Sequence, residues 1–342
     1  MSLQRRAFLK NSFVLATGSL LQSADFPLHQ QGKIITVNGP IAPSQMGMTL
    51  AHEHVQVDFI GADKTNPDRY NADEIFNTVL PYLMQVKEAG CKTFIDCTPA
   101  WIGRDVRILK RLSDATGLHI ITNTGYYGAS GEKFLPATVK TSSAEEIAAI
   151  WITEARNGID GSTIKPGFLK LGLDDVPFSD SIEKILKASA ITHLKTGLPI
   201  GVHTTKGGEP AKNELRILTN LGVRADCWIW IHAQNEKDLN YHIGLAKQGG
   251  WISFDGISKS NTAEYVSRLQ QMKKEKLLNK VLLSQDAGWY NIGEAGGGKF
   301  RNYMDFFTSF LPALKQSGFT EGEIHLLTVT NPSIAFTLNA KN

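Results

Sequence analysis

The sequence predicts an α/β protein, a (β/α)8 TIM barrel preceded by an N-terminal β-hairpin. Three observations predict it. Eight short apolar runs recur along the 342 residues, segments of helical period separate them, and no Gly-x-Gly-x-x-Gly follows the first run. Eight strand–helix units in succession call for a parallel sheet, and closing that sheet as a barrel leaves no exposed edge. The missing glycine fingerprint weighs against an open dinucleotide-binding sheet. No internal repeat, low-complexity tract or long linker interrupts the pattern, so residues 33–342 read as one domain.

The elements follow in order. "KIITVNGPI" (33–41) carries Asn38-Gly39 between apolar alternations, a hairpin signal. The eight strands are expected at 48–54, 92–98, 119–125, 167–173, 199–205, 227–233, 250–256 and 280–286. Between them, "ADEIFNTVLPYLMQVKEAG", "SSAEEIAAIWITEARNG" and "SIEKILKASAITHLKTG" have the helical period, and several such segments open on a capping residue and close on glycine.

Residues 1–24 are a separate matter. "RRAFLK" followed by the apolar "FVLATGSLL" reads as a twin-arginine signal peptide, with a processing point near "QSA" (22–24), so the mature protein is expected to be exported and periplasmic. Losing that segment removes Arg5, Arg6 and Lys10 and no acid, taking the formal charge from +3 to 0. A balanced chain gives no reason to expect nucleic acid or an anionic membrane as partner, and no apolar run reaches spanning length. Cys91, Cys97 and Cys227 are an odd set without a Cys-x-x-Cys, and read as buried, inert thiols rather than a disulfide framework.

Chemistry in such barrels sits at the C-terminal ends of the strands. "LAHEHVQ" (50–56) ends the first strand, and a period of two places Leu50, His52 and His54 on one face and Ala51 and Glu53 on the other. His203 ends the fifth strand, His232 the sixth and Asp286 the eighth. His29, His193, His242 and His325 fall in helices or loops, and His119 at the opposite barrel end, so these five read as structural. Lys170 lies inside the apolar fourth strand, where a bare ammonium is costly.

This constellation resembles the phosphotriesterase family of the amidohydrolase superfamily. So do "TLAHEH", "GCKTFIDCTPAWIGRDVRIL", "NTGYY", "GFLKLG", "GVHTT", "IHAQNEKDLNY" and "TVTNPSIAF", in family order from Lys33 to the C-terminus. The resemblance implies a metal-dependent hydrolase with two divalent ions, zinc by default. His52, His54 and Asp286 would hold the more buried ion, His203 and His232 the more exposed one, and an N6-carboxylated Lys170 would bridge them with a hydroxide. That hydroxide would attack an ester-like bond, with Asp286 as proton acceptor. Carboxylic esters or lactones lead as substrates, then phosphoesters and amides; a catalytically silent small-molecule binding protein is the alternative. A homodimer is also expected. Glu53, Asp96 and Asp255 are candidates to orient the second ring nitrogens.

Two features depart from the family. Gln234, Asn235 and Gly256 stand where a carboxylate–histidine relay belongs in phosphotriesterases proper, and Gly256 also lacks the arginine of lactonase relatives. For the substrate, Tyr126 or Tyr127 after strand 3 and Trp289 after strand 8 are the candidates, with Lys299 available to an anionic group. "AGWYNIGEAGGGKF" is expected to be a mobile loop and is not a P-loop.

Export carries its own test. Replacing Arg5 and Arg6 with lysine should retain the protein in the cytoplasm, and recovery of the double variant outside the inner membrane on fractionation would refute the signal.

Overall fold

A computed structural model describes residues 32–338, so the leader expected at 1–24 lies outside the described residues. The hairpin comes first, β1 (Ile34–Thr36) and β2 (Gly39–Ile41). Thr36 pairs with Gly39, so the turn is Val37–Asn38 rather than Asn38-Gly39. Gly39 instead opens β2 at φ 105°, a value that glycine adopts without a steric cost.

The barrel strands are β3 (Thr49–Val57), β4 (Thr93–Asp96), β5 (His119–Ile121), β6 (Asn123–Thr124) and β7 (Phe168–Leu173). They continue with β8 (Ile200–Thr204), β9 (Trp228–Ile231), β10 (Trp251–Phe254), β11 (Val281–Leu283) and β12 (Gly288–Asn291). Two parallel sheets form, in the orders β11-β10-β9-β8-β7-β6 and β12-β3-β4-β5. β5 and β6 are one strand interrupted at Thr122, and Ser284–Ala287 joins β11 to β12, so the two sheets close into a ring. The expected strand positions all hold. The segment expected to be a mobile loop does not: its first part is β12, which pairs Gly288 with His54 and Tyr290 with Gln56.

Helices follow the strands, and their ends show the expected caps. Asn71 accepts from the backbone N–H groups of Asp73 and Glu74 to start Ala72–Glu88. Ser143 and Glu146 form a capping box at Ala144–Asn157, and Ser179 caps Asp180–Thr196, which ends on Gly197 at φ 76°.

Strand alternation sorts the core. Leu50, Phe94, Ile120, Leu169, Leu171, Val202, Trp228, Trp230, Ile252 and Phe254 pack outward with the helices. Ala51, Ile95, Cys97, Ile121, Phe168, Ile229, Ile231, Trp251 and Leu282 pack on one another in the lumen. Ile34 and Met46 from the N-terminal segment, with Ala335 and Phe336 from the C-terminal one, plug its floor. Each fully buried aliphatic or aromatic side chain of this kind contributes about 1.5–3 kcal/mol. The three cysteines are free and buried, and burial pushes the thiols of Cys91 and Cys227 up to about 12, so they are inert.

One polar group is sealed between layers. Glu214, in the helix Gly208–Asn220, accepts from Thr204 Oγ1 at 2.6 Å through Oε1 while Oε2 has no partner. Burial pushes its carboxyl from 4.5 up to about 8. Below pH 4.5 the acid is protonated in both folded and unfolded chains; above it the unfolded chain ionises first, so stability is lost as pH rises through about 8. Glu214→Gln should remove this loss, which amounts to about 1.4 kcal/mol per pH unit within the window. Urea unfolding at several pH values would show it, and parallel profiles for wild type and variant would refute it.

Candidate metal centre

The first two histidines depend on a fault in strand pairing. Along β3 the register against β4 shifts between Leu50 and Glu53. Leu50 packs with the helices and Ala51 in the lumen, so Leu50 does not share the face of His52 as simple alternation predicts. The bulge resets the count, a known use of bulges beside active sites. His52 and His54 then turn inward together, with their Nε2 atoms 3.2 Å apart.

Glu53 faces the other way and touches neither ring. Its carboxylate accepts from Ser284 Oγ at 2.7 Å, from the Gln285 N–H at 3.0 Å and from the Ala287 N–H at 2.7 Å. It thereby fixes the chain on both sides of Asp286. Asp96 likewise accepts from the backbone of Val55 (2.8 Å) and Thr98 (3.1 Å). Of the three carboxylates expected to orient ring nitrogens, only Asp255 does so, holding His232 Nδ1 at 2.7 Å. His54 Nδ1 is held instead by Thr98 Oγ1 at 2.8 Å, and that hydroxyl donates to Gln56 O at 2.9 Å.

His232 and Asp286 reach the lumen by unusual backbone. Ile231 already points inward, so continued alternation would turn His232 out; φ 63° and ψ 32° turn it back. Asp286 has φ 51° and Trp289 φ 73°. Such left-handed residues are rare outside glycine and cluster where function imposes them.

His203, inward on β8, lies with its ring centroid 4.3 Å from that of His232. Its Nε2 meets Tyr127 Oη at 2.8 Å, leaving Nδ1 as the free nitrogen. Room for the Tyr127 ring comes from Gly172, where a Cβ would lie 2.3 Å from it. Lys170 is buried on the same lumen wall and forms no ion pair among the described residues. All six expected ligands therefore face one space. Trp289 also borders it, with its ring 5.4 Å from that of His54. Lys299 is exposed, and Tyr126 packs on Trp151 instead.

The distances suit a metal. Ligands about 2.0–2.1 Å from one tetrahedral zinc lie about 3.3 Å from each other. His52 Nε2, His54 Nε2 and Asp286 Oδ1 are separated by 3.2, 3.1 and 3.6 Å. Asp286 Oδ1 is buried and accepts no hydrogen bond, an orphan that is costly unless a ligand meets it. His52, His232 and Asp286 also form a group whose ligand atoms all lie within 4.8 Å. Burial, with the Lys170 charge adding to it, lowers His52 to about 3. Burial and the neighbouring His232 and Lys170 charges hold His203 well below its ordinary value. Both rings are thus neutral, with lone pairs to offer. Burial pushes the Asp286 carboxyl up, but the imidazoles around it outweigh that and keep it below the usual range.

Sequence reasoning missed the roles of four residues here. Thr98 and Gln234 orient groups across strands; Gln234 stood out only as a departure from the family, and nothing local in the sequence marks Thr98. Phe59 and Phe134 flank the mouth, with ring centroids 6.0 Å apart and Phe59 5.5 Å from Trp289. Their signal was only that of apolar residues in loops after strands 1 and 3.

Comparison with known proteins agrees with this architecture. The profile of the phosphotriesterase family matches residues 32–336. The chain is 30% identical over 297 residues to the phosphotriesterase homology protein of Escherichia coli K12, covering 85% of this chain and 98% of that one. It is 27% identical over 306 residues to the aryldialkylphosphatase of Saccharolobus solfataricus, covering 86% and 96%. The organophosphorus hydrolase from Deinococcus radiodurans superposes with a TM-score of 0.81 at 28% identity, over 92% of this chain and 99% of that one.

The Thr98 contact gives a direct expectation. Thr98→Val keeps the shape but frees His54 Nδ1, and should weaken divalent-ion binding about 10-fold. Titration against a chromophoric chelator measures this, and unchanged affinity would make Thr98 a packing residue only.

Proposed function

The chain belongs to the phosphotriesterase family, whose relatives here are hydrolases, and on that premise we propose that it is a binuclear-metal hydrolase of an ester-like bond. The observation that carries the reading is the triangle of His52 Nε2, His54 Nε2 and Asp286 Oδ1, spaced as ligands of one ion around an orphaned oxygen. His52, His54 and Asp286 would hold that ion. His203, through Nδ1, and His232, through Nε2, would hold a second, since Tyr127 and Asp255 engage their other nitrogens.

Lys170 would serve both ions. Its ammonium would lose one proton, and the amine would then add CO₂ and lose a second, which turns a buried cation into an anion with two oxygens. That change removes the cost of an unpaired ammonium in the lumen. When bound, two divalent ions acidify water and polarise the oxygen of the scissile bond, and zinc suits this set of imidazoles and oxygens.

The remaining work belongs to the chain. Asp286, kept ionised, would hold the ion through Oδ1 and can take up a proton at its other carboxylate oxygen. Burial pushes the Tyr127 phenol up, so it stays a donor able to orient a substrate oxygen. Trp289, with Phe59 beside it, gives the mouth an apolar side. Neutral Gln234 and Gly256 replace the charged relay and the lactonase arginine alike, so the order of carboxylic esters or lactones, then phosphoesters, then amides rests on the family resemblance alone. The twin-arginine pattern at Arg5 and Arg6 supports a periplasmic setting for the mature enzyme, as an expected homodimer.

Elemental analysis should give about two divalent ions per chain, and one ion or fewer would refute the paired centre. His52→Ala should lose metal and activity together, whereas His325→Ala, exposed on the C-terminal helix, should change neither. Lys170→Ala should abolish the pair, with partial recovery in acetate; Lys170→Met, which fills the space with a thioether, should not recover. Turnover of no member of an ester, lactone, phosphoester and amide panel by fully loaded protein would leave a binding protein instead.

A further inference from the structure

The geometry points to Gln234 as a positioning residue: its side-chain amide fixes Asp255, and through that one carboxylate it orients both His232 and His52. The inference rests on the proposal that these two histidines are metal ligands.

Asp255 is fully buried just beyond β10. Its Oδ1 accepts from His232 Nδ1 at 2.7 Å and from Gln234 Nε2 at 3.0 Å. Its Oδ2 accepts from the His232 N–H at 3.1 Å and from Ser253 Oγ at 2.8 Å. The same Oδ2 lies 3.3 Å from His52 Nδ1, a ring nitrogen that otherwise has no partner. One carboxylate therefore faces a histidine from each proposed ion site. A small rotation about its Cα–Cβ bond would release His232 and draw away from His52 together.

Gln234 opposes that rotation. Nε2 donates to the Asp255 carboxylate, and Oε1 accepts from the Asp255 backbone N–H at 3.2 Å. Bonds to the backbone and to the side chain of one residue lock the torsion between them. The amide carries no charge, so it adds no repulsion in a lumen that already holds two carboxylates and Lys170.

Gln234 is itself anchored by neighbouring helices. Arg268 donates to the carbonyls of Gln234 and Glu236, each at 2.9 Å. His242 Nε2 meets the Ala233 carbonyl at 2.7 Å. The turn that carries His232 at φ 63° is thus held at three points, Ala233, Gln234 and Glu236.

The space is also exclusive. A Cβ on Gly256 would lie 2.7 Å from Tyr265 Oη and 3.0 Å from Gln234 Nε2. A side chain at 256 would therefore displace the Gln234 amide from its present position. Where the relay is absent, the Gln234 amide forms an uncharged clamp on Asp255.

The test uses Gln234→Met, which keeps length and volume, and Gln234→Ala, each prepared metal-free and then titrated with zinc or cobalt. Both should raise the Kd of one or both ions by about 10- to 100-fold and alter the visible spectrum of the cobalt form. The metal-free melting temperature of Gln234→Met should change little, and in turnover kcat should fall more than KM rises. Wild-type Kd values and cobalt spectrum in both variants would overturn the inference. So would a metal-free destabilisation of Gln234→Met that accounts for its whole effect with the Kd values unchanged. Failure of the wild type itself to bind two ions would refute the proposed function instead, and is read from the same titration.

Discussion

The seam between the first and last strands holds the site together. Asp286 N–H donates to His52 O at 3.1 Å, His54 N–H to Ala287 O at 2.9 Å, and His52 N–H to Ser284 Oγ at 2.9 Å. Buried Glu53 ties the same two segments from the outer side through three hydrogen bonds. These contacts close the ring and, in the same act, place Asp286 against two histidines more than 230 residues away. Loosening the seam would open the barrel and disperse the ligand triangle at once.

The lumen is divided along its axis. Its floor is apolar, sealed by Ile34, Met46, Phe168 and Phe336, with the last two rings edge to face at 5.4 Å. Its upper half carries four imidazoles, Asp255, Asp286 and Lys170, nearly all buried. Polar groups so placed cost free energy unless partnered, and the partners come from the ends of different strands: Thr98 after β4, Tyr127 after β6, Ser253 within β10, Gln234 after β9. The apolar floor keeps water from the centre on one side, while the aromatic residues at the mouth limit it on the other.

The same region also carries backbone strain. His232, Asp286 and Trp289 occupy the left-handed region without being glycine, at a cost of about 1–3 kcal/mol each. The hydrogen bonds of Arg268, His242 and Gln234 around His232, and of Glu53 around Asp286, are what the surrounding structure supplies against it. His232 and Asp286 are proposed ligands, so the inward aim of these two side chains is set by their own backbone rather than by the strand pleat.

The sequence by itself determined the order and number of strand–helix units, because period, capping residues and apolar runs are local signals. It also determined which strand end carries each proposed ligand, since a histidine or aspartate at the C-terminal end of a barrel strand has few other places to go. What it could not decide was orientation. Simple alternation mis-sorted Leu50, because a bulge depends on the pairing of β3 with β4. It had no account of His232, whose direction rests on a left-handed turn clamped from two helices. The segment after strand 8 read as a loop because its pairing with β3 exists only once the ring closes. Partners of the ring nitrogens were equally hidden: Asp255 was one of three equivalent carboxylates, and Thr98 and Gln234 were ordinary polar residues. Hydrogen bonds between strand ends are long-range and directional, so only the tertiary structure decides them.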